Sequence, residues 1–233
     1  MKKEQKIDTF QENTFVLKEH SDSSVVQTFV HRSKIPKSKA DQISALRAEI
    51  SAYLFDYLSK YQIPTHYIKK LSKNQLNVLK TQAIPVIVRI YNFINSIFKI
   101  NFMVQEGAPL MFPVIENYYL NPEFHKIIIN ETHIAGLNII PLEDFRSINK
   151  LALKVNALLR PLFERRNLIL SEIELECGRF KNKILVCGEL SPVTFKVWNK
   201  SAKNKIDFDY FNFQGDNVYE QYNEFKKRLI PGS

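Results

Sequence analysis

The chain has 233 residues, 45% of them hydrophobic and 24% charged, with 33 Lys and Arg against 24 Asp and Glu for a formal net charge of +9. That is the make-up of a globular protein, large enough for one big domain or two small ones with a shared core. No apolar run reaches the length of a membrane span and the opening MKKEQKIDTF lacks the apolar stretch of a secretory leader, so no membrane partner is expected and a cytoplasmic location is.

The predicted elements begin with two antiparallel strands. TFVLKEH and SSVVQTFVH alternate apolar and polar residues around a turn at SDSS. The loop HRSKIPKSKADQ (31–42) then carries Arg32, Lys34, Lys37 and Lys39 against one acid, Asp41. It can meet a small phosphorylated ligand, but no aromatic residues are interleaved to stack bases, so nucleic acid is not an expected partner. ADQISALRAEISAYLFDYLSKYQ reads as a helix with an apolar stripe through Ile43, Leu46, Ile50, Tyr53, Leu54, Tyr57 and Leu58, and Pro64 lies just past its end.

THYIKKL and AIPVIVRIYNF follow as strands, the second rich in β-branched residues and expected at the centre of a sheet. SINKLALKVNALLRPLFERR is a second helix, with its stripe on Leu151, Val155, Leu158, Leu159, Leu162 and Phe163 and with Pro161 inside it. NLILSEIELECG and KNKILVCGELS form a hairpin around Arg179 to Asn182. The last helix, NVYEQYNEFKKRL, presents Val218, Tyr222, Phe225 and Leu229. Strands first, then helices mixed with hairpins, predict an α+β fold: a small antiparallel sheet domain over 1–83, a larger α+β domain over 84–233, and a cleft between them.

Two features of the hairpin bear on function. Cys177 and Cys187 do not face each other in simple pairing and no zinc-ligand spacing exists, so buried free thiols are expected. In LSEIELECGRF (170–180), Glu172, Glu174 and Glu176 occupy alternate positions and so share one face of a strand. Hairpin pairing adds Glu189 to that face. Four converging carboxylates need cations, protons or a hard metal ion such as Mg²⁺, and Mg²⁺ usually accompanies a phosphorylated substrate. Like-charge crowding around Glu174 predicts that neutralising it stabilises the protein.

At these residues the chain resembles the SAICAR synthetase (phosphoribosylaminoimidazole-succinocarboxamide synthetase) family, from about residue 10 to the C-terminus. ISAYLFDYLSKYQIPTHYI is similar to the family's helix and its Gly-Ile-Pro-Thr strand, and AIPVIVRIYNFINS to its Val-Pro-Val-Glu segment. IINETHI, NLILSEIELECG, GELSPVTFKVW and KIDFDYFN resemble four further family segments in the same order. The resemblance implies ATP-dependent amide formation: a carboxylate attacks the terminal phosphorus of ATP, ADP leaves, and an amine displaces phosphate from the acyl phosphate. It implies ATP and Mg²⁺ as cofactors and a small phosphorylated or carboxylate ligand as partner; a homo-oligomer is left open. It assigns nucleotide binding to Lys80, Gln82 and Ala83 at a hinge and to Glu176 and Glu189, the last two also as metal ligands. Substrate binding falls to Arg89, Asn92, Ser96 and Lys196.

Several charged positions of the family pattern are altered. Lysines that face ATP phosphates are replaced in QENTFV, which has Glu12 and Thr14. The arginine that grips a substrate phosphate falls on Tyr91, a serine on Ile97, an aspartate on Gly188, an arginine on Lys196 and a lysine on Glu174. Loss of phosphate-facing cations predicts that the standard purine-pathway activity is lost. The expected function is an ATP-dependent C–N ligase with another carboxylate and amine. The alternative is a catalytically retired homologue that binds a nucleotide or a protein.

Overall fold

The computed structural model describes residues 15–32, 35–121, 125–201, 203 and 205–232. Glu12, Thr14 and Lys34 lie outside the described residues. Among those described, no helix is long and apolar enough to cross a membrane.

Strands β1 (Phe15–Glu19), β2 (Ser24–Phe29), β3 (Tyr67–Ser72) and β4 (Gln75–Leu79) form a four-stranded antiparallel sheet in the order β1-β2-β4-β3. Helix α1 (Lys37–Lys60) covers it: Ala48 and Ala52 pack with Val25, Phe29, Leu76 and Val78. Small side chains at 48 and 52 let the helix approach the sheet closely. The helix starts three residues before its expected first residue, directly after Pro36, whose fixed φ suits a helix start. It ends at Lys60, and Gln62 turns the chain in the left-handed region at φ 57° ahead of Pro64.

The second sheet runs β11-β10-β8-β5-β6-β7, with β9 also paired to β8. Its strands are β5 (Gln82–Phe93), β6 (Pro109–Asn121), β7 (His125–Ile129), β8 (Leu168–Phe180), β9 (Lys183–Cys187), β10 (Phe195–Lys200) and β11 (Ile206–Asp207). β5 is interior, as its β-branched run predicts, with Val86, Ile87, Val88 and Ile90 all buried. Helix α4 (Leu142–Glu164) contributes Leu151, Val155, Leu159, Leu162 and Phe163 to the core, and Phe163 meets Phe195 edge-on. Helix α5 (Val218–Leu229) buries Val218, Tyr222, Phe225 and Leu229, the four expected positions, each worth about 1.5–3 kcal/mol of transfer free energy. Two short helices, α2 (Ser96–Phe102) and α3 (Glu131–Leu137), went unread in the sequence. Their signals are local: Asn95 caps α2 by accepting from the Phe98 amide, Asn130 and His133 form a capping box on α3, and Met103 and Asn138 close them in the left-handed conformation.

The mixed α+β class with a small antiparallel sheet is as expected. The chain divides into two compact units that interleave. One takes the residues up to Pro85, Cys177–Pro192 and the residues from Phe213 on; the other takes Val86–Glu176 and Val193–Asn212. The division at 83/84 placed both returning segments in the second domain. Composition shows no boundary there, because strands β5 and β8 each run from one unit into the other.

Candidate active site

The polar face of β8 is built as the alternation dictates. Ile173, Leu175 and Cys177 point into the core, while Glu172, Glu174 and Glu176 take the opposite face. Strands β10, β5 and β7 then supply the countercharges. Lys196 lies opposite Glu172 in the β8–β10 register, and its Nζ donates to Glu172 Oε1 at 3.0 Å; Asn95 Nδ2 donates to the same oxygen at 3.1 Å. Arg89 on β5 donates through Nε to Glu174 Oε1 at 2.8 Å and again through Nη2. Lys126 on β7 donates to the other oxygen, Oε2.

The cluster extends across β6. Arg89 stands opposite Glu116 in register, and its guanidinium lies over the Tyr118 ring, 5.0 Å from the centroid. Tyr91 donates its hydroxyl to Glu116 at 2.7 Å, and Tyr118 donates to the same Glu116 oxygen. Burial raises the carboxyl pKa of Glu174, but the Lys126 hydrogen bond and the charges of Arg89 and Lys126 outweigh it and hold the group below its ordinary range. Burial and donation to Glu116 push the Tyr91 and Tyr118 phenols above theirs. Two cations, two carboxylates and two neutral phenols are thus mutually satisfied on one sheet face.

Glu189 belongs to the other unit and sits in a different solvent. Arg47 of α1, only 1% exposed, grips it as a fork: Nε to Oε1 at 2.8 Å and Nη2 to Oε2 at 2.6 Å. Ser191 Oγ donates to Oε1 as well, and Arg47 Nη1 donates to the Val30 carbonyl at 2.9 Å. Burial opposes the Arg47 charge, yet the Glu189 charge and hydrogen bonds prevail and raise its pKa. Nearby, His66 is buried and neutral, its pKa pushed down to about 3 by desolvation against a weaker upward pull from the Gly188 carbonyl; Gln27 Nε2 donates to that carbonyl at 3.0 Å.

The convergence of four carboxylates is therefore overturned. Among the described residues no group of three or more His, Cys, Asp and Glu side chains gathers to hold a metal. Glu172, Glu174 and Glu189 carry side-chain cations instead, and Glu189, with both oxygens bound by Arg47, does not fit as a Mg²⁺ ligand. The crowding expected at Glu174 fails for the same reason: cations of β5 and β7, invisible in the local sequence, flank it.

The other expected residues are distributed as follows. Asn92 is buried, donating to Asn156 Oδ1 at 2.9 Å and to the Leu170 carbonyl at 3.1 Å. Ser96 is exposed at the first position of α2, and the Lys196 side chain is 65% exposed. Glu176 is half-buried on the polar face of β8. In the other unit, Gln82 and Ala83 are exposed at the start of β5, and Lys80 is exposed and paired with Glu19 at 2.7 Å. Cys177 and Cys187 are buried, as expected, and no disulfide joins them. Sequence reading missed Arg47 altogether, although one signal was present: it lies on the buried helical spacing Ile43, Arg47, Ile50, Leu54, a lone cation in an apolar stripe.

The model of the family described as SAICAR synthetase matches residues 10–229 of this chain. The chain belongs to the SAICAR synthetase family. A phosphoribosylaminoimidazole-succinocarboxamide synthase of Thermoanaerobacter sp. (strain X514) is 31% identical over 221 residues, 95% of this chain and 92% of that protein. The crystal structure of the phosphoribosylaminoimidazole-succinocarboxamide synthase from Ehrlichia chaffeensis superposes with a TM-score of 0.82 at 28% identity, covering 98% of this chain and 100% of that one. A SAICAR synthetase solved in complex with ADP gives the same TM-score and identity over 94% of this chain and 96% of its own. Within this SAICAR synthetase fold, Tyr91 and Glu174, two positions expected to depart from the family pattern, join the neutralised cluster with Arg89, Glu116, Tyr118 and Lys126.

Proposed function

We propose that this SAICAR synthetase family member is an ATP-dependent amide-forming ligase whose carboxylate substrate carries no phosphate. The observation that carries this reading is the Arg89–Glu174–Lys126 arrangement, in which both cations are already matched by one carboxylate. A phosphate dianion brought to that face would meet Glu174 and Glu116 as well as Arg89, and repulsion would cancel the gain. Arg89 and Asn92 serve the sheet. The exposed Ser96 and Lys196 are the residues we assign to the substrate, with Lys196 able to leave Glu172 for an incoming carboxylate. For the nucleotide we assign the backbone around Lys80, Gln82 and Ala83, together with Glu176. A similar protein has been solved with ADP, which supports nucleotide binding in this fold. We place the protein in the cytoplasm, a reading supported by its membership of the SAICAR synthetase family.

The test is ADP release by the purified protein in ATP and Mg²⁺. With aspartate and the phosphorylated carboxylate of the purine pathway, release stays at the level of a Glu176→Ala control. With a panel of unphosphorylated carboxylates and amines, ADP appears together with amide product. Robust turnover of the phosphorylated carboxylate overturns the proposal. ATP binding by calorimetry with no turnover of any panel member also overturns it, in favour of a retired nucleotide-binding homologue.

A further inference from the structure

A cavity of about 370 Å³ lies within the unit that contains Arg47 and Glu189, where the chain joining β2 to α1 meets the chain leading into α5. None of the residues assigned to the nucleotide or the substrate lines it. His31 and Ile35 come from the first segment, Phe213 and Val218 from the second. Both aromatic walls rest on the buried Tyr222 of α5, whose ring centroid is 6.5 Å from that of His31, edge-on, and 5.0 Å from that of Phe213. Phe213 also meets Phe225 edge-on at 5.7 Å, and its amide donates to Gln221 Oε1 at 2.6 Å. This anchoring keeps Phe213 in the left-handed region at φ 51°, a conformation that residues other than glycine rarely adopt and that collects at ligand sites. His31 is tied to α1, its amide donating to Ser44 Oγ at 2.8 Å. Burial and the charge of Arg47 hold its imidazole below the ordinary pKa against the opposing pull of Glu189, so the ring is neutral.

We propose that this cavity binds a small organic ammonium with an apolar or aromatic body, the body against Phe213, Ile35 and Val218 and the charge at Asp216. The lining decides the sign of that charge. Among the described residues Asp216 is the only charged side chain on the lining, and its carboxylate has no ion pair or hydrogen bond with any of them. Arg32, Lys37 and Lys39 of the basic loop are not lining residues. A phosphate or carboxylate in the cavity would meet Asp216 and no cation, whereas an ammonium gains both the carboxylate and the negative faces of aromatic rings. The polar rim, residues 214–216, is exposed while Val218 is buried, so the apolar body goes in and the charge stays at the mouth. The volume stands near the lower end of the range for ligand cavities, about 300–1,000 Å³, which suits a body of one or two rings.

The experiment is calorimetric titration of the full chain, without ATP, with 2-phenylethylamine and tryptamine. The controls are N-acetyl-2-phenylethylamine, which lacks the charge, and 3-phenylpropionate, which reverses it. At least one amine binds with a Kd below ~1 mM, and both controls bind at least ~10-fold more weakly. Asp216→Asn, at an exposed position, weakens the amine at least ~10-fold and leaves the uncharged control unchanged, with circular dichroism and melting as in the wild type. Ile35→Trp, which fills the cavity, abolishes amine binding. If neither amine binds with a Kd below ~1 mM, the proposal is overturned. Equal binding of 3-phenylpropionate also overturns it. So does amine binding that Asp216→Asn or Ile35→Trp leaves intact, because the amine then sits elsewhere. The titration contains no ATP, so its failure is separate from a failure of the ligase reading.

Discussion

Arg47 with Glu189 and Arg89 with Glu174 are the same chemical pair in two units of the molecule. The first is removed from water: Arg47 and Glu189 side chains are 1% and 0% exposed. The second is partly wet, at 24% and 16%, and shares its carboxylate with Lys126. In the first pair each charge depends on the other, since neither can be solvated if its partner goes. In the second, water and a second cation can take up the loss. A buried pair therefore acts as a structural commitment, and a half-exposed one can be rearranged by substrate or mutation.

The sharpest way to break the first pair is Arg47→Ala. It leaves Glu189 buried without its counter-ion and should cost about 3–5 kcal/mol in urea unfolding. Arg47→Met combined with Glu189→Leu should recover most of that loss; if it does not, the pair does more than neutralise itself.

The two units also part company in pH. His66 stays neutral in the fold to about pH 3, whereas an unfolded histidine protonates near 6.5. The unfolded state therefore binds the extra proton first, and stability present above pH 6.5 is lost as the pH falls toward 3, at ~1.4 kcal/mol per pH unit. From pH 6.5 to 5 the loss is about 2 kcal/mol, and His66→Gln flattens the slope. Glu174 has a lowered carboxyl pKa, so its contribution is intact above 4.5 and falls away only in stronger acid. Urea unfolding of wild type, His66→Gln and Glu174→Gln across this range separates the two windows.

At neutral pH, Glu174→Gln should destabilise by ~1 kcal/mol, because Arg89 and Lys126 lose their shared acceptor yet reach solvent. A rise in melting temperature would mean that like-charge crowding outweighs the two cations. Lys196→Ala tests the smallest effect. Its side chain is 65% exposed, so the loss should stay below ~1 kcal/mol even though it faces the buried Glu172.

Local pattern alone determined a good deal about this protein. Alternation set the faces of β8, helical spacing set the buried residues of α5, and family-like segments along nearly the whole chain carried the family. These are properties of neighbouring residues, fixed by the period of the backbone. What the sequence could not determine were the partners of the charges. Glu174 depends on Arg89 and Lys126, 85 and 48 residues away, and Glu189 on Arg47, 142 residues away. Only pairing of β8 with β5, the place of β7 two strands further on, and the packing of α1 decide whether a carboxylate meets a metal, a lysine or an arginine. The glutamates were legible as a set on one face; their neutralisation was not, because electrostatic energy depends on distance in space and on burial, and both arise only when the sheet is assembled.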